Sequence, residues 1–398
     1  MKQFLYAFII IGLCSCVSYT KPATDSIPAL SRLIQADNDF GFRIFGRLTD
    51  NNPQTNIFIS PTSIQMCLRM LYNGASGKTK TAISKTLGLS ELTLSQTNQA
   101  NLELSEQLKS TDEKVVLNIA NSLWAQQGIE FKKDFLESNQ TYYNAEIATL
   151  NFADQKSPAT INQWADDKTN GKITQVVQEL DPSMVMILIN AIYFNGKWTI
   201  EFDTTKTKEL PFTLPDNTQK QVLMMIQDGN YRYFENEKIQ AIGLPYGNKR
   251  MSMYIFLPKA VNGLADFVAG LNEKTWSEYV ANFRYHEGDI FLPRFKFEYE
   301  KTLNQALIDL GMTNTFSNAD FTNLTDIPAF VSGVVHKTFV EVNEAGTEAA
   351  AVTSVFIATA IADQPKPFSM ICDHPFFCAI VDDQTGSILF MGAVTNPQ

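Results

Sequence analysis

The sequence predicts a single large α+β domain. Three observations carry this. The 398 residues are 44% hydrophobic and only 19% charged, enough apolar surface for a sizeable core and too little charge for disorder. No Gly/Ser-rich or Pro-rich stretch, repeat or long charge block interrupts residues 28–398, so nothing marks a second domain. Helical spacing in the N-terminal part gives way to short β-branched runs, and strands outnumber helices in the C-terminal half.

The first residues read as an address. Lys2 supplies a positive start, and Phe4 to Leu13 is an apolar run too short to span a bilayer. Leu13-Cys14-Ser15-Cys16 then resembles the bacterial lipobox, which makes residues 1–15 a signal peptide and Cys16 the lipidated mature N-terminus. A plain secretory signal cut near the same point is the alternative. Either way the chain is exported, lipid-anchored to a bacterial envelope (the outer membrane) or secreted. Residues 16–27 are polar and read as a tether, with the fold beginning at residue 28.

Residues 30 to 48 carry Leu30, Leu33, Ile34, Phe40, Ile44, Phe45 and Leu48 at largely helical spacing. Ile57 to Ile59 read as a short strand. Ser60 is then a good helix N-cap, Pro61 suits the first turn and Gly74 the stop. Ile64, Cys67, Leu68 and Leu71 form the buried face of that helix. A short helix is expected over 79–87, ending at Gly88. Met184 to Phe194 is too apolar for an exposed strand, and its Ile and Val content favours a buried one. Asn190 is its one strongly polar member. A buried amide without partners costs about 1–3 kcal/mol, so Asn190 is expected in a polar cluster within the core. Further strands are expected at Met251 to Leu257, Ile290 to Leu292, Phe295 to Tyr299 and Phe376 to Val381.

Charge and cysteine usage exclude several functions. A net charge of -10 argues against a nucleic-acid surface, which needs clustered Lys and Arg. Three histidines leave little room for a His-rich metal site, and five cysteines are too few for a disulfide scaffold. Cys372 and Cys378, if they share one strand, lie about 20 Å apart at the usual strand rise, beyond disulfide reach. They and Cys67 read as small buried hydrophobes.

The most informative segment is 344–362. After Glu348 it has no charge until Asp363, no proline until Pro365 and no glycine beyond Gly346. A surface loop of that length usually contains such residues. Val352, Thr353, Val355, Ile357, Thr359 and Ile361 are β-branched and favour a strand. At period two, one face is Thr347, Ala349, Ala351, Thr353, Val355 and Ile357, all small or aliphatic. The segment is built so that it could become a central strand, and an ordinary core strand is the plainer reading.

Five blocks resemble the serpins, in the family's order: NIFISPTSI at 56–64, NAIYFNGKW at 190–198, LPRFKFEYE at 292–300, HKTFVEVNEAGTEAAA at 336–351, and DHPF with ILFMGAVTNP at 373–376 and 388–397. The resemblance implies a single domain of three β-sheets, including a large central sheet A, with about eight or nine helices and an exposed reactive loop at about 344–367. It implies that a protease attacks this loop as substrate. The cleaved loop then enters sheet A and traps the protease as an acyl-enzyme; serpin insertion is itself a standard example of strand addition and of the release of stored strain.

Carried over by the match, Glu344, Gly346, Thr347, Glu348, Ala349, Ala350 and Ala351 form the hinge of an inhibitory serpin, free of bulky, basic or proline residues. The family's spacing from Thr347 puts the reactive bond at Ala360-Ile361, with Thr359-Ala360 and Ile361-Ala362 open alternatives. Ala358, Thr359 and Ala362 flank it and set specificity. No Lys or Arg lies between Lys337 and Lys366, so an acidic trypsin-like pocket has nothing to pair with. Ala360 fits the small apolar pocket of an elastase-like or broad subtilisin-like serine protease. Cleavage beside Phe356 would favour a chymotrypsin-like one, and papain-like cysteine proteases stay open as partners. Ser60, Ser63, Asn190 and His336 match the polar cluster beneath sheet A, and Trp198 the tryptophan at its top. His336, His286 and His374 have no partnered nucleophile motif such as G-x-S-x-G, so the protein is expected to be no enzyme. It is also expected to be a monomer without cofactor or metal. Residues 90–115 are net negative, with Lys109 and Lys114 against Glu91, Glu103, Glu106, Asp112 and Glu113, so heparin dependence is not expected. A non-inhibitory serpin acting as a binding protein or chaperone is the alternative function.

Overall fold

The computed structural model describes residues 28–50, 54–109, 112–347 and 367–397. The signal peptide, Cys16, the tether, Glu348 to Ala351 and the Ala360-Ile361 bond with its flanking residues lie outside the described residues.

In chain order, helix α1 (Ala29–Asp50) leads to strand β1 (Ile57–Ile59), α2 (Pro61–Gly74), α3 (Gly77–Thr86) and α4 (Leu94–Leu108). The Ser60 hydroxyl accepts the Ser63 N–H at 3.3 Å and Pro61 opens the first turn of α2, so a cap and a pre-set φ start this helix together. Next come β2 (Val115–Gln126), α5 (Lys133–Tyr143), β3 (Glu146–Leu150), α6 (Ser157–Lys168) and β4 (Met186–Lys197). The middle of the chain is mostly strand: β5 (Lys208–Thr213), β6 (Gln219–Glu235), β7 (Ile239–Pro245) and β8 (Met251–Pro258). Helices α7 (Leu264–Ala269) and α8 (Glu273–Asn282) precede β9 (Arg284–Pro293) and β10 (Phe295–Thr302). Helix α9 (Asn304–Leu307) runs on through a kink at Gly311, where φ is +113°, to Phe316. Strands β11 (Gly333–Asn343), β12 (Gly346–Thr347), β13 (Phe368–Ile371), β14 (Phe376–Asp382) and β15 (Ser387–Val394) close the chain.

The fold is α+β. Of the three expected sheets, two are fused. β6 is 17 residues long and pairs with β5 through its first part, with β9 through its middle and with β7 at its end. It therefore joins both halves into one system of nine strands. The second sheet has six strands in the order β10-β11-β12-β4-β2-β3. Helices α1 and α2 pack on β15 of the first sheet, and α2 also meets β2 and β4 of the second. The two sheets thus share one core, in which Phe58 of β1 stacks on Phe390 of β15 and meets Phe297 of β10 edge-on.

Cys372 and Cys378 do not share a strand: Cys372 follows the end of β13, Cys378 lies in β14, and both are free, buried thiols. The β run is interrupted there because the Asp373-His374-Pro375 stretch carries poor strand formers.

Candidate functional site at the hinge

Strands β4 and β11 run parallel and pair directly over six positions, from Gly333 opposite Ile187 to Thr338 opposite Ile192. Beyond these they part. Continued, the same register would set Val342 against Gly196 and Asn343 against Lys197. Instead β12 lies between those pairs, antiparallel to both neighbours: Gly346 faces Asn343 and Lys197, and Thr347 faces Val342 and Gly196. Gly346 and Thr347, the start of the expected hinge, thus already occupy the gap, in step with the pairing below it.

Each residue of this segment has a local reason. Gly346 has a φ of +148°, and a Cβ there would lie 2.1 Å from the Gly196 carbonyl oxygen, so only glycine fits. Thr347 is 2% exposed and its hydroxyl meets that of Tyr246 at 2.7 Å. Tyr246 stacks on Trp198 with ring centres 4.5 Å apart. The Trp198 indole N–H donates to the Asn343 carbonyl at 2.9 Å, and its backbone N–H to Ala345 at 3.0 Å. Glu344 accepts from Arg294 Nε at 2.8 Å and Nη2 at 2.5 Å, and from the Thr207 hydroxyl at 2.5 Å. Burial alone would raise the Glu344 pKa; the Arg294 and Thr207 hydrogen bonds outweigh it and hold the carboxyl below its ordinary value.

Lower in the seam the structure brings Ser60, Ser63, Asn190 and His336 together. His336 and Asn190 face each other in the β4–β11 register. His336 Nδ1 lies 2.6 Å from Asn190 Oδ1, and its Nε2 accepts the Ser60 N–H at 3.1 Å. This fixes the neutral ring with its proton on Nδ1, and complete burial lowers the pKa of His336 to about 3. The Asn190 amide N–H groups donate to Ser63 Oγ, to the Ser63 carbonyl at 3.2 Å and to Asn121 Oδ1 at 2.7 Å. The cluster holds two strands side by side and shows no nucleophile aligned with the ring. His374 is likewise occupied, by Asp373 Oδ1 at 2.7 Å and the Pro258 carbonyl at 2.6 Å. Among the described residues no group of three or more His, Cys, Asp or Glu side chains could hold a metal ion.

Five participants escaped the sequence reading: Asn121, Thr338, Thr207, Tyr246 and Arg294. Thr338 donates to the Phe58 carbonyl at 2.6 Å, tying β11 to β1. Asn121 carried a detectable signal, an amide in a strand whose neighbours Ala120 and Leu123 are apolar. The other four carry none, because their partners are distant in the chain.

The comparisons agree with this geometry. The family model described as "Serpin (serine protease inhibitor)" matches residues 35–397. An uncharacterized serpin-like protein of Thermococcus kodakarensis is 36% identical over 92% of this chain and 86% of its own. The leukocyte elastase inhibitor of Homo sapiens is 35% identical over 92% of this chain and 100% of its own. Among solved structures, the thermophilic serpin tengpin in the native state aligns with a TM-score of 0.84 at 32% identity, over 91% of this chain and 94% of that one. Human thyroxine-binding globulin, complexed with thyroxine, aligns with a TM-score of 0.86 at 29% identity, over 93% of this chain and 100% of that one. The chain belongs to the serpin family.

Proposed function

We propose that this serpin is a suicide-type inhibitor that traps elastase-like serine proteases by inserting its cleaved reactive loop between β4 and β11. The observation that carries the reading is the position of Gly346 and Thr347, which sit between the two strands in the register an inserted strand would follow. Continued, that register sets Ala349, Ala351, Thr353, Val355 and Ile357 on the face where Thr347 is buried, with Thr353 between Asn190 and His336. None of these side chains brings a charge into the core.

In the trapping reaction the protease's serine oxygen attacks the Ala360 carbonyl, its proton passing through the protease's own base to the departing Ile361 amine. The Ala360–Ile361 bond breaks and an ester joins Ala360 to the protease. The β-branched 352–357 stretch then gains strand partners on both sides, and the attached protease is dragged along before water can hydrolyse the ester. The small side chains around Ala360, and the name of the human relative at 35% identity, support an elastase-like target. Incubation with neutrophil elastase should give a complex that survives denaturing electrophoresis and a released peptide beginning at Ile361. Complete cleavage without a complex across elastases, subtilisins and papain-like proteases would refute the reading. The lipobox-like Leu13-Cys14-Ser15-Cys16 supports an envelope-anchored inhibitor; Cys16→Ala should release the protein from membranes.

A further inference from the structure

Trp198 walls a second space that the hinge residues do not reach: a cavity of about 210 Å3 shared with Ile200 and Phe202, with strands β6 to β9 and with the turn carrying Asp383. Its walls set the apolar and aromatic groups of Trp198, Ile200, Phe202 and Tyr231 beside the polar Gln227, Asn230 and Ser252. At its mouth stand Ile200 and Tyr285, 51% and 69% exposed. Two of its lining positions, Gly229 in β6 and Gly243 in β7, are strand glycines without a positive φ. Glycine within a strand often marks the close approach of something else, and a Cβ at Gly229 would lie 3.0 Å from the Tyr231 ring that lines the space.

The charges in the walls are unevenly satisfied. Asp383 accepts from Arg232 at 3.3 Å, Ser252 at 2.5 Å and the Tyr254 hydroxyl. Asp228 pairs with Lys206 at 2.7 Å. Lys249, the remaining charged lining residue, makes no ion pair among the described residues. It also holds a left-handed backbone with φ of +75°, a strained choice for any residue but glycine. A chamber with aromatic walls, its other charges paired and one surplus cation at its edge, suits a small ring carrying one negative charge.

We propose that this cavity binds a small aromatic carboxylate, its ring among Trp198, Phe202 and Tyr285 and its carboxylate at Lys249, and that occupancy slows hinge insertion. The coupling runs through one short segment. Besides the Trp198 bonds to Asn343 and Ala345, the Phe202 N–H donates to the Glu344 carbonyl at 2.8 Å. A ligand that fixes residues 198–202 therefore favours the hinge as it stands over the hinge inserted. The coupling rests on the inhibitor reading above; the site does not.

Calorimetric titration with indole-3-acetate and its neutral analogue indole-3-acetamide tests the site. Two variants at exposed positions should fold normally, as their melting temperatures will verify: Lys249→Glu reverses the charge and Ile200→Trp narrows the mouth. The acetate should bind once per molecule, at least tenfold tighter than the amide and at least tenfold tighter than it binds to Lys249→Glu, with Ile200→Trp also weakened. No saturable acetate binding at millimolar concentration, or binding that both substitutions leave unchanged, overturns the site. Saturating acetate should at least double the number of inhibitor molecules cleaved per elastase trapped, and should not do so in Lys249→Glu. An unchanged ratio with binding established overturns the coupling alone. A protein that traps no protease overturns the coupling together with the inhibitor reading, while the titration still decides the site.

Discussion

His336 of β11 and Asn190 of β4 are joined side chain to side chain at 2.6 Å, across the seam that the proposed insertion would open. Both are buried, and each is fixed by a second contact to the turn opening α2, through Ser60 and Ser63. The polar latch thus adds to the backbone ladder and to the buried aliphatic pairs beside it, Val334 with Leu188 and Val335 with Ile189. A latch of hydrogen bonds holds in the intact state and can re-form with a new polar partner, which Thr353 supplies in the proposed inserted register.

Asn190→Ala should weaken the intact protein. It strands the His336 Nδ1 proton and removes the donor to Asn121, each a buried group whose lost partner costs about 1–3 kcal/mol. Urea unfolding of the uncleaved protein measures the loss. A change below about 0.5 kcal/mol, the range of a neutral surface substitution, would mean that the cluster does not hold the strands.

The neutral ring of His336 gives a pH dependence with a definite sign. Its pKa falls from the ordinary 6.5 to about 3 on burial, so the unfolded chain binds the proton more readily. The stability it contributes is complete above about pH 6.5 and is lost as pH drops toward 3, at about 1.4 kcal/mol per pH unit within that window. The imidazole resonances of His336 should stay those of the neutral form between pH 7 and 4.5. A titration midpoint near 6.5 in the folded protein would contradict the assignment.

Glu344→Gln should loosen the hinge without emptying the site. The carboxylate accepts two Arg294 donors and one hydroxyl; the amide keeps the volume and loses the charge. The expected cost is about 1–3 kcal/mol, partly recovered in Arg294→Met, Glu344→Gln, where no unpaired guanidinium remains. Equal stability of the single variant and wild type by thermal melting would show that the ion pair does not fasten the hinge.

Thr347 offers the sharpest contrast between two substitutions. Thr347→Val keeps the shape and loses only the contact with Tyr246, so inhibition should persist. Thr347→Arg places a cation where the side chain is 2% exposed, at a cost of several kcal/mol, and should turn the inhibitor into a substrate. Retained complex formation with elastase by Thr347→Arg would remove this residue from the insertion path.

Legibility in the sequence followed the range of the interactions. Ser60, Pro61 and Gly74 announce α2 because capping is local, and Asn190 stands out because an amide amid Ile and Leu needs a partner. The signal at Asn121, an amide between Ala120 and Leu123, is weakened by Asn118 and Ser122, which give β2 the look of an exposed strand although the stretch from Ala120 to Ala125 is buried. Tyr246 sits in a Pro-Tyr-Gly-Asn stretch that reads as a surface turn, yet its partner Thr347 is 101 residues away. The fusion of two sheets was hidden for a similar reason. Asp228-Gly229-Asn230 carries the residues of a tight turn, but the chain continues straight through them, paired with Asp289, Gly288 and Glu287 of β9.

The most direct test of the account is the melting temperature of the protein before and after its loop is cut by a protease that it does not trap. Insertion would add a full strand between β4 and β11, so the cleaved form should melt far above the intact one, and Thr347→Arg should abolish most of that gain. A cleaved wild-type protein that melts where the intact protein does would contradict insertion, and with it the trapping mechanism.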